Sequence, residues 1–138
     1  MTADLAAFLR ARLAEDEQSA REVGCERIEA VDYLWDSMYL QLRFPDGEVK
    51  NTTEMPASLA THIARHDPAR ALAEVDAKQR MLARHTPRRT NVADNTNQVR
   101  KVMVCDHDRK SWPCPDLRDL AAPYANHPDY QPDWAPNA

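Results

Sequence analysis

Between residues 3 and 23 the apolar positions recur at helical spacing. Leu5, Phe8, Leu9, Leu13, Ala20 and Val23 form a stripe, and Arg10, Arg12, Glu15, Asp16, Glu17 and Arg21 fill the remaining positions. Thr2 suits a cap for the first turn, Asp4 suits the positive end of the helix dipole, and Gly24 can take the left-handed backbone that ends a helix. The period then changes to two. Val31, Tyr33 and Trp35 alternate with polar neighbours, Met38, Leu40, Leu42 and Phe44 alternate with Tyr39, Gln41 and Arg43, and Pro45-Asp46-Gly47 supplies turn chemistry before a short run around Val49. An antiparallel three-stranded meander over residues 27–53 is expected. A one-residue slip would expose a whole apolar set, so each strand has one face that must be covered, and a helix is the natural cover.

Leu59, Ile63 and their alanine neighbours predict a helix over 57–66. It stops at Asp67-Pro68, where Asp67 is a good cap and Pro68 fits the first helical position of a second helix over 68–85, carrying Leu72, Val75 and Leu82. Residues 86–101 are polar and without evident period, and are read as a linker or long loop. Beyond it, residues 102–138 hold a short apolar run into Cys105, a helical stretch from Asp116 to about Ala122, and a tail rich in proline. That tail should be extended and pack through Tyr124, Tyr130 and Trp134. The expected fold class is α+β: the small meander is packed by the N-terminal helix and the central helix pair in a core over 1–85, with a C-terminal Cys/His appendage and a proline-rich tail laid on it.

Length and composition narrow this picture. At 138 residues with 43% hydrophobic types, one core is expected. Only Gly24 and Gly47 are glycines, which disfavours barrels rich in φ > 0 turns and a Gly-rich phosphate cradle. The net charge of −4 excludes a uniformly basic surface. No run is long enough for a membrane span and the N-terminus lacks a signal-peptide pattern, so a cytoplasmic chain with no membrane partner is expected. Three cysteines, an odd number, argue against a disulfide framework and turn attention to metal or to simple burial.

The richest segment chemically is Cys105-Asp106-His107-Asp108-Arg109-Lys110-Ser111-Trp112-Pro113-Cys114. Metal knuckles place two ligands three positions apart, the spacing of Cys105 and Asp108. Cys114 could return near the start of the following helix, whose N–H groups would stabilise a thiolate, and His85 could add a fourth donor, with His107 as the alternative to Asp108. Two small buried thiols beside Trp112 are the other reading of the same cysteines. His62 and His66 lie four apart on a helix, but Ile63 stands where a zinc protease needs its glutamate. Ser19, Ser37, Ser58 and Ser111 lie in no nucleophile motif, and the carboxylates are dispersed among arginines, so catalysis has little support. Arg88, Arg89, Arg100 and Lys101, with Arg84, Arg109 and Lys110 nearby, make the linker basic enough to touch phosphates, without a recognition motif to accompany it.

Three stretches, DLAAFLRARLAEDEQSAR, HIARHDPARALAEVDAKQRMLARH and WPCPDLRDLAAPYANHPDYQPDW, resemble a family of uncharacterised actinobacterial and actinobacteriophage proteins, a domain of unknown function. The most specific parts are HIARHDPAR and the ending PC-x-x-LR-x-LA-x-x-Y-x-x-HP-x-Y. Members look as though they carry a Cys-x2-Cys before the later Pro-Cys and a His closing the long helix, which implies a Cys3His zinc site. His85, Cys105 and Cys114 match that set, and Asp108 stands where the second cysteine would be. The function expected is a non-catalytic interaction or accessory module with a protein partner, phage- or mobile-element-linked as the resemblance implies, and held by a structural zinc-like site. Two alternatives are a metal-dependent hydrolase with an open Cys2His site and a nucleic-acid binder working through the basic linker.

Overall fold

The structure, a computed structural model, describes residues 4–137. It is an α+β fold with helices α1 (Leu5–Glu22), α2 (Ala57–Arg65), α3 (Pro68–Arg84) and α4 (Pro115–Ala121), and strands β1 (Arg27–Asp32), β2 (Ser37–Arg43), β3 (Val49–Asn51), β4 (Met55–Pro56), β5 (Pro87–Ala93) and β6 (Val99–Cys105). Where one core is expected from length, the chain divides into two compact units. One takes the chain up to Leu13 and from Ala77 onward, and the other is Ala14–Asp76. The long helices α1 and α3 each give one segment to either unit.

In the Ala14–Asp76 unit, β1 pairs antiparallel with β2 from Arg27↔Arg43 to Asp32↔Met38, and β3 and then β4 line the other edge of β2. The β2–β3 partners sum to one residue less than the β2–β4 partners (41 with 51, 38 with 55), so one extra residue is bulged between them. Thr52 fills the gap, its N–H donating to Leu40 O at 2.9 Å and its Oγ1 accepting from Leu40 N at 3.0 Å. Helix α2 lies on β1 and β2, with Thr61 Oγ1 3.7 Å from Met38 Sδ, and Leu40 is buried beneath it.

This register corrects one expectation. Val31 sits opposite Tyr39, on the face away from Met38, Leu40 and Leu42, so the set that β1 gives to the covered face is Ile28 and Ala30; Trp35 lies in the turn. The alternation of Val31, Tyr33 and Trp35 is real, but pairing decided which parity was covered.

Asp67 works as read from the sequence. Its Oδ1 accepts from Arg70 N at 3.0 Å, capping α3, while Oδ2 takes Ile28 N at 3.3 Å and faces Arg27 Nε at 3.4 Å. One buried carboxylate thus fixes the start of a helix against the start of a strand. At the head of α1 the cap is Asp4, which takes Ala6 N at 3.0 Å; Thr2 lies outside the described residues. Gly24 ends α1 with φ 84°.

In the other unit, the largest departure from the sequence reading is at residues 86–101. Expected as a linker or long loop, they form most of a hairpin, β5 and β6 pairing in unbroken register from Pro87↔Cys105 to Ala93↔Val99. Its five-residue loop is closed by Asp94, and Asn97 takes φ 59°, the position where Gly47, at φ 89°, stands in the β2–β3 loop. Both strands are exposed along most of their length, so the apolar alternation that marks a strand is nearly absent.

The tail is also not extended. It makes two 3-10 turns, Ala122–Tyr124 and Pro132–Trp134, and its rings gather on Phe8 of α1: Trp134 at 5.0 Å between centroids, His127 at 5.6 Å, Tyr130 at 6.0 Å and Tyr124 at 6.3 Å. Arg12, one turn on, lies over the Phe8 ring at 5.1 Å and against the His127 ring. Edge-on and tilted rings about a single aromatic give the tail a packed seat with only short 3-10 turns.

Candidate metal centre

Four donors arrive from four local structures. His85 follows the last turn of α3, its N–H donating to Leu82 O at 3.2 Å. Cys105 ends β6. The chain then makes a tight knuckle in which Arg109 N donates to Cys105 O at 2.9 Å and Cys105 N donates to Lys110 O at 2.8 Å. Arg109, at φ 64°, is the residue that turns the chain. Asp108 lies in the knuckle, its Oδ1 held by Lys110 N at 2.9 Å, and Ser111 returns to bridge Val104. Cys114 stands at the N-cap of α4, where Pro115 begins the helix.

One ligand atom from each of His85, Cys105, Asp108 and Cys114 lies within 4.8 Å of all the others, a group that could hold a metal ion. His85 Nδ1 is 3.3 Å from Cys105 Sγ and 3.3 Å from Cys114 Sγ. For a tetrahedral ion with bonds of about 2.0 to 2.3 Å, the edges between donors come to about 3.3 to 3.8 Å, which the two histidine–sulfur distances match. Both cysteines are 0% exposed and His85 is 3% exposed, whereas Asp108 is half-buried.

The electrostatics keep a proton on the Cys114 thiol until a cation displaces it. Burial pushes the Cys114 thiol up to about 12, and the neighbouring Cys105 and Asp108 add to this against the lowering effect of the Leu117 N–H. The start of α4 does lower this thiol through the Leu117 N–H, as expected, but desolvation beside Cys105 and Asp108 outweighs it. The Lys110 N–H holds the Asp108 carboxyl below its usual range, with the thiols of Cys105 and Cys114 and the charge of His85 adding smaller contributions against the cost of burial. A divalent cation would take the place of the Cys114 proton and reverse the penalty on that sulfur.

Sequence reasoning did not single out Asp116. Its Oδ2 faces His85 Nε2 at 3.6 Å, on the ring nitrogen left over when Nδ1 points at the sulfurs. Metal-bound imidazoles commonly turn their second nitrogen to a carboxylate, which orients the ring. The one signal available was an acidic residue in the first turn after Cys114. His107, the alternative fourth donor, is exposed and outside the four-atom group; its ring stands 4.7 Å from that of His85.

The remaining sequence candidates lie elsewhere. His62 and His66 are exposed on α2 and at its end, with rings 4.7 Å apart. Arg88 and Arg100 fall on one face of the β5–β6 hairpin and Arg89 and Lys101 on the other, so the basic residues do not share a face. Arg88 also faces Asp106 at 3.5 Å. Among the described residues no helix is long and apolar enough to cross a membrane. Residues 2–136 match the model of a family of unknown function, DUF6221. No curated protein and no solved structure matches the chain.

Proposed function

Because the chain belongs to DUF6221, a family whose description carries no activity, we propose a role from its own residues: a non-catalytic interaction module whose C-terminal part is fastened by one structural zinc ion. Zinc is the metal favoured by this donor set, two sulfurs, an imidazole and a carboxylate in a tetrahedral cage. His85, Cys105, Asp108 and Cys114 would hold it, and Asp116 would orient His85. The observation that carries the reading is the convergence of four donors within 4.8 Å around two fully buried thiols.

A closed set of four donors favours a structural site over a hydrolytic one, which keeps a position for water. Protein purified without chelator should contain one zinc per chain by elemental analysis, and Cys114→Ala should lose it. Absence of stoichiometric metal would remove the proposal. The resemblance to phage-borne proteins suits an accessory role of this kind, and gene neighbourhood is the direct check on it.

A further inference from the structure

We infer that the β1–β2 turn is a docking tip for a peptide segment or protein loop that presents apolar side chains flanked by lysine or arginine. It lies in the Ala14–Asp76 unit, well separated in sequence from the metal donors. The inference rests on the interaction-module reading above but not on the metal.

The turn runs Asp32-Tyr33-Leu34-Trp35-Asp36, and its three apolar residues all face solvent. Tyr33 and Leu34 are each 55% exposed and Trp35 is 98% exposed. Trp35 also adopts φ 51°, a left-handed backbone that a bulky side chain rarely takes and that glycine takes freely. Two costs therefore fall on one residue: an indole left in water and a backbone suited to another amino acid. Neither is repaid inside this unit, since an almost wholly exposed ring covers nothing.

The turn is nonetheless built to hold its shape. Ser37 N donates to Leu34 O at 3.0 Å and Tyr33 N to Ser37 O at 3.1 Å. Ser37 Oγ lies 2.7 Å from Leu34 O and 3.2 Å from Glu54 Oε2, and Ala57 N, at the start of α2, donates to Asp36 O at 2.8 Å. A rigid tip loses little freedom on binding, and tryptophan is the residue most often found at the energetic centre of interfaces. Beside it a cleft of about 470 Å³ runs along Tyr33, Tyr39 and Asn51 to Glu54, giving a partner's side chain somewhere to enter.

Charge selects the partner. Residues 28–42 and 51–64 contain no lysine or arginine, and they carry Glu29, Asp32, Asp36 and Glu54. Glu29 is matched by Arg43 at 3.3 Å, at the far end of the strand pair, whereas Asp32, Asp36 and Glu54 are in no ion pair among the described residues. An apolar tip ringed by three carboxylates outside any ion pair repels an anionic lipid surface and a second copy of itself, and attracts a basic rim.

Panning a random peptide display library on the full, metal-replete chain tests this. Enriched peptides should combine aromatic or aliphatic residues with Lys or Arg, and should lose at least roughly tenfold in affinity on Trp35→Gly, as expected when a hot-spot tryptophan is removed. The same variant should melt no lower than the parent, because glycine suits the left-handed turn. Leu34→Ser gives a second variant should Trp35→Gly fail to fold. Asp36→Asn should weaken binding a few-fold and flatten its salt dependence.

Enriched peptides lacking basic residues, or equal binding by both tip variants, would overturn the inference. So would binding of the tip to vesicles containing phosphatidylserine, or self-association that Trp35→Gly abolishes. Zinc content measured on the same preparations keeps the two ideas apart: intact metal with tip-independent binding defeats only the docking tip, and tip-dependent binding without metal defeats only the zinc.

Discussion

Leu40, in the middle strand of the four-stranded sheet, is buried under α2, and β1 beside it gives Ile28 and Ala30 to the same face. The β5–β6 hairpin has nothing of the kind. No residue of either strand is buried until Cys105, the last of β6, and there the chain enters the donor cluster. The two sheets are thus held by different physics: one by removing apolar surface from water, the other by fixing its open end. An isolated two-stranded ribbon is marginal in water, so a hairpin of this composition needs an anchor. In small folds a metal supplies what a core of limited size does not.

The sharpest way to break that contrast is to withdraw the zinc ion proposed above. Structural zinc sites in small peptides are worth about 10 to 16 kcal/mol of apparent binding energy, all of it available to folding. Chelation should therefore collapse amide-exchange protection across 99–105 while leaving the β1–β2 ladder protected. The reciprocal variant, Leu40→Ala, should cost about 2 to 5 kcal/mol, the usual range for a buried leucine, and leave the zinc content at one per chain. Equal loss of protection in both sheets under chelation would show that the distinction is wrong.

A smaller change tests whether the anchor depends on its surroundings. Asp116→Asn keeps the shape of the residue facing His85 Nε2 and removes its charge. Loss of an outer carboxylate typically costs roughly 10- to 100-fold in metal affinity. The 3.6 Å separation places the expectation at the low end, read by competition with a chromogenic chelator. An unchanged affinity would reduce Asp116 to a bystander.

The two hairpin loops sharpen the comparison at the level of sequence. In one, Phe44 N donates to Glu48 O at 2.9 Å and Gly47 N to Phe44 O at 3.0 Å; in the other, Asp94 N donates to Gln98 O at 3.0 Å and Asn97 N to Asp94 O at 3.0 Å. The geometry is the same, yet Pro45-Asp46-Gly47 announces a turn and Asn95-Thr96-Asn97 does not, because asparagine accepts left-handed backbone less exclusively than glycine. Gly47→Ala should lower stability by about 1 kcal/mol through backbone conformation, since an added Cβ there meets nothing within 4 Å. Asn97→Gly should be neutral or raise stability by a few tenths. Thermal melts of the pair decide it.

The same contrast explains what could be read before the structure. Helices α1, α2 and α3 and the central meander were legible because each buries one face, which leaves a period in the sequence. The donors His85, Cys105, Asp108 and Cys114 could be named from residue type and spacing, which need no period. The β5–β6 hairpin was missed because Arg88, Arg89, Asn91, Arg100 and Lys101 fill a ribbon with two wet faces. Asp116 was missed because a carboxylate that only orients a ligand carries no spacing of its own. Trp35 looked like a core residue until the pairing register put it in a turn.

The finest test concerns what replaces glycine chemistry in the second loop. Asp94 Oδ1 accepts from Thr96 Oγ1 at 2.6 Å, Thr96 N at 2.8 Å and Gln98 N at 3.0 Å. These bonds, the Thr96 hydroxyl first, hold its carboxyl below the usual aspartate range. A carboxylate depressed in the folded state adds stability that is fully present above its unfolded pKa, near about 3.9, and is lost as pH falls through the folded value. Carboxyl resonances followed by NMR should therefore show Asp94 titrating below an ordinary aspartate, and Thr96→Ala should bring it part of the way back, since the Thr96 and Gln98 N–H bonds remain. The loop is fully exposed, so the effect on global stability should be small, and a normal titration in the parent protein would mean that the loop is ordered by the strands alone and not by its own side chains.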